Sequence, residues 1–223
     1  MAVNLTNYRQ VLANITPYHA RLVAVSKIKP VEDIQALYDA GQRIFGENYV
    51  QELADKAGRL PQDIEWHFIG HLQRNKVKYI APFVSMIHSV DSVNLLQEIN
   101  KQAARHNRVI HCLLQVFIAT EETKFGLSEA EVYEVLEQAG ALPNVRIAGL
   151  MGMASNTDDE ERIRKEFRGL RALHNEVRAR YFSGAESFRE LSTGMSGDYK
   201  IALEEGSTLV RIGSLLFGAR NYV

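Results

Sequence analysis

Apolar residues along the chain alternate between two spacings. Leu5, Tyr8, Leu12 and Ile15 recur at helical intervals, as do Val31, Ile34 and Leu37 ahead of Gly41. Between these stripes lies Arg21-Leu22-Val23-Ala24-Val25-Ser26, a short run rich in β-branched residues that predicts a buried strand. The alternation then repeats. Further strands are predicted at Arg43–Gly46, Trp66–Ile69, Ser85–Val90, Ile110–Val116 and Val145–Leu150, with a weak seventh at Glu190–Ser192 and a clear eighth at Thr208–Ile212. The intervening helices are predicted over Val50 to Gly58, from near Asn75, and through Leu95, Leu96, Ile99 and Ala103. Another follows the capping box Ser128-Glu129-Ala130-Glu131, and a long one carries Ile163, Phe167, Leu170, Leu173 and Val177.

Strands that alternate with helices imply right-handed β-α-β units and a parallel sheet. Eight such units in about 200 residues predict a compact (β/α)8 barrel, with an open doubly wound sheet as the alternative if the seventh strand fails. The whole chain, residues 1–223, is expected to form one barrel domain.

Composition narrows the class. With 26 Lys+Arg against 27 Asp+Glu, the chain has none of the excess charge expected of a nucleic-acid binder or a polybasic membrane anchor. A single cysteine, Cys112, excludes an intrachain disulfide and a cysteine-rich zinc module. No signal-like N-terminal pattern and no long apolar run is seen, so a cytoplasmic location without membrane or nucleic-acid partners is expected.

In such barrels chemistry sits after the C-terminal ends of the strands. Lys27 directly follows the first strand, where partial desolvation would disfavour its ammonium form and equip it for Schiff-base chemistry. A lysine snorkelling over a strand end is the competing reading. Two Gly/Ser turns follow the last strands, Thr193-Gly194-Met195-Ser196-Gly197 and Gly213-Ser214, and could form a phosphate cup or simply start helices. Arg211 lies within an apolar strand and must find a partner, either in the barrel mouth or on an outer helix. His67 and His71 have metal-like spacing without a third ligand, so no metal is expected. His88 and His111 suit strand packing, and Met151, Met153 and Met195 suit a pocket or irregular core space.

These segments resemble the pyridoxal-phosphate homeostasis proteins, relatives of the N-terminal barrel domain of alanine racemase with its fold-type-III barrel. The likeness is carried by Ala24-Val25-Ser26-Lys27, Phe45-Gly46-Glu47-Asn48-Tyr49-Val50-Gln51-Glu52 and Trp66 through Lys76. It continues through His88-Ser89-Val90-Asp91, Gly149-Leu150-Met151-Gly152-Met153, Leu191 through Asp198, and Val210-Arg211-Ile212-Gly213-Ser214. The resemblance implies pyridoxal 5′-phosphate as cofactor, held as an internal aldimine on Lys27. It implies Ser196, Gly213 and Ser214 at the phosphate, Arg211 at the pyridine nitrogen and Asn48 beside the cofactor. Lys124 matches a second family lysine in a loop, there either to accept or pass on cofactor or simply as a solvated loop lysine.

A cation at the pyridine nitrogen disfavours its protonation and weakens the ring as an electron sink. The chain of 223 residues also leaves no room for the second domain of alanine racemase. The expectation is therefore a monomeric, non-catalytic carrier that buffers or delivers cofactor to apo-enzymes. A weak or specialised amino-acid racemase is the alternative.

Overall fold

The computed structural model describes residues 3–119 and 125–218. In chain order it comprises α1 (Leu5–Ile15), β1 (Arg21–Val25), α2 (Val31–Asp39), β2 (Ile44–Glu47), α3 (Val50–Arg59), β3 (Glu65–Phe68), α4 (Val77–Ile80), β4 (Met86–Val90) and α5 (Val93–Arg105). There follow β5 (Ile110–Gln115), α6 (Glu129–Ala139), β6 (Val145–Met151), α7 (Glu160–Tyr181), β7 (Glu190–Ser192), α8 (Tyr199–Glu204), β8 (Leu209–Ile212) and α9 (Ser214–Phe217). The eight strands form a closed barrel in sequence order. Parallel pairing of Arg21 to Ala24 with Leu209 to Ile212 joins the last strand to the first. The open-sheet alternative is thereby removed, and the weak seventh strand is present over the expected residues.

Each strand is buried on both faces but divides its residues between two environments. Leu22, Ala24, Phe45, Trp66, Phe68, Ile87, Cys112, Leu114, Val210 and Ile212 belong to the large layer between barrel and helices. Val23, Ile44, Met86, Leu113, Ala148, Met151 and Leu209 form a separate cluster inside the barrel. Met151 thus fills the interior, whereas Met153 and Met195 line a cavity at the C-terminal mouth. The period of two sets this division, and a bulge at Gly149 adjusts it. Gly149 has φ +155°, and a Cβ there would run into the carbonyl of Glu190. The extra residue shifts the β5–β6 register after Cys112 and lets Ala148 and Met151 both face inward.

Helix starts follow local chemistry. Ser92, Ser128 and Asp159 each accept an N–H from the first turn of their helices, and Ser128 with Glu131 completes the expected capping box. The segment after β3 differs from expectation: a 3₁₀ turn over Arg74–Lys76 precedes only a single turn of α-helix. Its four residues bury Val77 and Ile80 and leave Tyr79 exposed.

Candidate functional site

On β1 the inward residues run from Arg21 at the N-terminal mouth through Val23, and the same parity brings Val25 and Lys27 to the C-terminal mouth. Lys27 lies in a tight turn closed by the Lys29 N–H donating to the Ser26 carbonyl at 3.1 Å. Its neighbour Ile28 has φ +60°, an unfavourable conformation for a β-branched side chain. The Glu52 carboxylate holds that backbone by accepting the Ile28 N–H at 2.6 Å.

A buried ionic cluster lies directly behind this turn. Lys56 Nζ donates to Glu47 Oε1 at 2.7 Å, to Glu52 Oε1 at 2.6 Å and to the Ser26 carbonyl at 2.8 Å. Ser26 Oγ donates to the same Glu47 oxygen at 2.5 Å. Glu47 is fully buried, and burial pushes its carboxyl up to about 7 against the opposing pull of Lys56. The cluster ties β1, β2 and α3 together around the backbone that presents Lys27. Sequence reasoning assigned no role to Glu47, Glu52 or Lys56. The Glu-to-Lys i,i+4 spacing on α3 was the available signal.

All six residues expected to contact the cofactor, Lys27, Asn48, Ser196, Arg211, Gly213 and Ser214, line one cavity of about 260 Å³ at the C-terminal mouth. Asn48 is fixed from below: a Cβ on Gly70 would overlap the Asn48 carbonyl oxygen, so only glycine permits this approach. The Asn48 side-chain Oδ1 is buried and has no hydrogen-bond partner among the described residues. In the loop after β7, Asp198 Oδ1 accepts the Met195 N–H at 2.6 Å and folds Ser196 and Gly197 toward the cavity. Gly213 and Ser214 enter from the start of α9, so the two Gly/Ser turns do meet.

Arg211 points inward, which settles the choice its strand left open. Nη1 donates to the carbonyl and the hydroxyl of Ser192, both at 2.7 Å, and Nη2 donates to the Gly152 carbonyl at 3.1 Å. Burial lowers its pKa to about 10, which still leaves a cation near neutrality. These bonds hold the guanidinium plane and leave Nε and one Nη2 hydrogen unused by them, on a residue that lines the cavity.

Two of the four histidines, His88 and His111, depart from their expected packing roles. His67 and His71 do not meet as ligands. His67 is buried, while His71 lies at the surface 3.4 Å from Asp91 and against the Phe125 ring. Among the described residues no three potential ligands converge on a metal position. His88 is more than a packing residue: its Nδ1 lies 3.0 Å from Ser192 Oγ and its Nε2 lies 2.9 Å from His67 Nδ1. His111 lines a different cavity at the N-terminal mouth. Lys124 lies outside the described residues. Cys112 is buried, and burial pushes its thiol upward, away from reactivity.

A family model for the alanine racemase N-terminal domain matches residues 4–221. The pyridoxal phosphate homeostasis protein of Aquifex aeolicus is 44% identical over 204 residues, covering 91% of this chain and 88% of that protein. The chain belongs to this family. Among solved structures, PipY of Synechococcus elongatus, with PLP bound, superposes with a TM-score of 0.87 at 34% identity, covering 96% of this chain and 99% of PipY. Alanine racemase of Bartonella henselae shares the fold at 17% identity, with a TM-score of 0.71 over 96% of this chain and 58% of its own.

Proposed function

We propose that this family member binds pyridoxal 5′-phosphate at the C-terminal mouth, as a Schiff base on Lys27, and acts in cofactor homeostasis by buffering or delivering it. The observation that carries this reading is the single cavity shared by Lys27, Asn48, Ser196, Arg211, Gly213 and Ser214. Its lining holds two cations and no carboxylate, which suits a ligand bearing a nearly dianionic phosphate at neutral pH.

The residues present fit that group. Ser196 and Ser214 bring hydroxyls, and Gly197 and Gly213 let backbone approach a phosphate closely. The unpartnered Asn48 Oδ1 is available to a donor on the ring, and Arg211, which also lines the cavity, retains donors not used by Ser192 and Gly152. When bound, pyridoxal phosphate supplies an electrophilic aldehyde and an electron-withdrawing ring. Lys27 supplies the amine that condenses with it. Arg211, a fixed cation, disfavours a proton on an adjacent ring nitrogen and so restrains carbanion chemistry. This supports a carrier without turnover of its own. A monomer in the cytoplasm, handing cofactor to apo-enzymes, completes the proposal.

Absorption spectra before and after borohydride reduction provide the test. Expected are a visible band on addition of pyridoxal phosphate, and a cofactor adduct on the Lys27 peptide after reduction. A protein that takes up no cofactor overturns the binding claim. Sustained racemisation of L-alanine or L-serine beyond one turnover per chain overturns the carrier claim and favours the racemase reading.

A further inference from the structure

A second and larger cavity, about 400 Å³, opens at the opposite, N-terminal mouth of the barrel. Arg21, Arg146 and Arg189 line it together with Glu65, Glu186 and Glu190. Two of the arginines are already engaged: Arg21 reaches Glu190 at 2.8 Å and Arg189 reaches the same oxygen at 3.1 Å. Arg146 has no hydrogen-bond or ion-pair partner among the described residues, and neither do Glu65 and Glu186 on the rim.

His67 lines this cavity, and a chain of hydrogen bonds reaches it from the far end of the barrel. Arg211 can only donate, so Ser192 Oγ accepts from it. Among the described residues, the acceptor within reach of the Ser192 hydroxyl hydrogen is His88 Nδ1 at 3.0 Å. With the Ser192 hydroxyl hydrogen on Nδ1, His88 carries its proton on Nε2 and donates it to His67 Nδ1 at 2.9 Å. His67 in turn carries its proton on Nε2, the nitrogen of this cavity-lining ring that the contact with His88 leaves unused. An N–H donor on a ring lining a cavity that also holds an unengaged guanidinium suits an anionic oxygen. The two free carboxylates at the rim ask for a cation on the same molecule.

We infer that the N-terminal mouth is a second ligand site, taking the zwitterion of a small amino acid with its carboxylate on His67 Nε2–H and Arg146 and its ammonium group toward Glu65 or Glu186. The site stands whether or not Lys27 carries cofactor.

The test is ¹⁵N NMR of the histidine rings, on the wild-type chain and on Lys27→Ala freed of pyridoxal phosphate, in which no aldehyde or aldimine is present for an amino acid to react with at the other mouth. The free protein is expected to show His67 as the Nε2–H tautomer; the Nδ1–H tautomer overturns the inference. Titration with L-alanine is expected to move the His67 signals saturably in both chains, with Kd in about the millimolar range. Arg146→Ala, a change at an exposed residue, is expected to weaken that binding about 10-fold or more, as for loss of a charged hydrogen bond. Acetate, methylamine and inorganic phosphate are expected to bind more weakly than L-alanine. No saturable shift up to about 100 mM L-alanine, a shift unaffected by Arg146→Ala, or tighter binding of phosphate would each overturn the proposal.

Discussion

The two mouths of the barrel are built on the same strand with the same parity, yet they hold opposite electrostatic settings. β1 sends Arg21 into one end and Lys27 into the other. At the N-terminal mouth three arginines are balanced by three glutamates. At the C-terminal mouth Lys27 and Arg211 share a cavity with no acidic residue in its lining. Glu47 and Glu52 on the neighbouring elements are bound by Lys56 behind the wall and do not enter that lining. Position in the barrel therefore does not by itself make a lysine or an arginine a binding group. What distinguishes the two ends is where the counter-charges are spent.

The largest expected effect tests that asymmetry directly. Lys27→Ala removes the amine while leaving Arg211 and the two turns in place, so covalent retention of pyridoxal phosphate should vanish. Gel filtration after loading should leave no borohydride-fixed cofactor on the variant. Retention equal to wild type would mean that the amine resides elsewhere and that the asymmetry has been misassigned.

The next effect concerns the cluster that supports the Lys27 turn. Lys56→Met leaves Glu47 buried without its cation, a change expected to cost about 3–5 kcal/mol of stability and to be read by urea denaturation. Adding Glu47→Leu removes the stranded carboxylate and should recover a large part of that loss. Failure of the double variant to recover would show that the cluster stabilises chiefly through its hold on Ser26 and Ile28.

A third comparison sets the outer cluster against the inner histidines through pH. Burial holds the His67 ring down at about 3 instead of 6.5, and His88 well below its ordinary value. The unfolded chain therefore binds more protons below pH 6.5, so this contribution is intact above 6.5 and is lost as pH falls. Glu47 acts in the opposite sense: raised from 4.5 to about 7, it favours the folded state most below 4.5 and loses that contribution as pH rises to 7. Between 4.5 and 6.5 the two slopes oppose one another. Glu47→Gln removes one of them and should steepen the acid loss of stability by up to about 1.4 kcal/mol per pH unit. Denaturation midpoints measured across that window would reveal it, and an unchanged slope would place the Glu47 carboxyl near its ordinary value.

Much of this arrangement was legible from residue patterns, and the unread part has a common cause. Short β-branched runs separated by helical stripes define the barrel, and even the three-residue strand at Glu190–Ser192 could be placed by counting units. Lys27 and the Gly/Ser turns were findable because barrel chemistry collects after strand ends. The inward direction of Arg211 was not findable, since both faces of β8 are buried and periodicity gives no contrast. The His67–His88–Ser192 contacts were equally hidden. They join residues up to 104 positions apart, and only closure of the barrel and the bulge at Gly149 set which side chains face one another. Glu47 and Lys56 look like ordinary surface charges until β2 turns the carboxylate into the wall against α3.

The smallest expected effect falls on the phosphate side of the C-terminal mouth. Ser196 is half-buried on a loop that Asp198 already folds through the Met195 N–H, so Ser196→Ala removes one hydroxyl without releasing the turn. Loss of a single hydrogen bond to a charged group is worth about 1.5–3 kcal/mol, which corresponds to roughly a 10- to 150-fold weaker hold on the cofactor. Equilibrium fluorescence titration with pyridoxal phosphate should fall in that range, while the borohydride-fixed adduct still forms at saturation because Lys27 is intact. Pyridoxal without its phosphate should bind equally to variant and wild type. Equal weakening for both ligands would move Ser196 away from the phosphate and leave the two cations, not the turn hydroxyls, as what sets this mouth apart from the other.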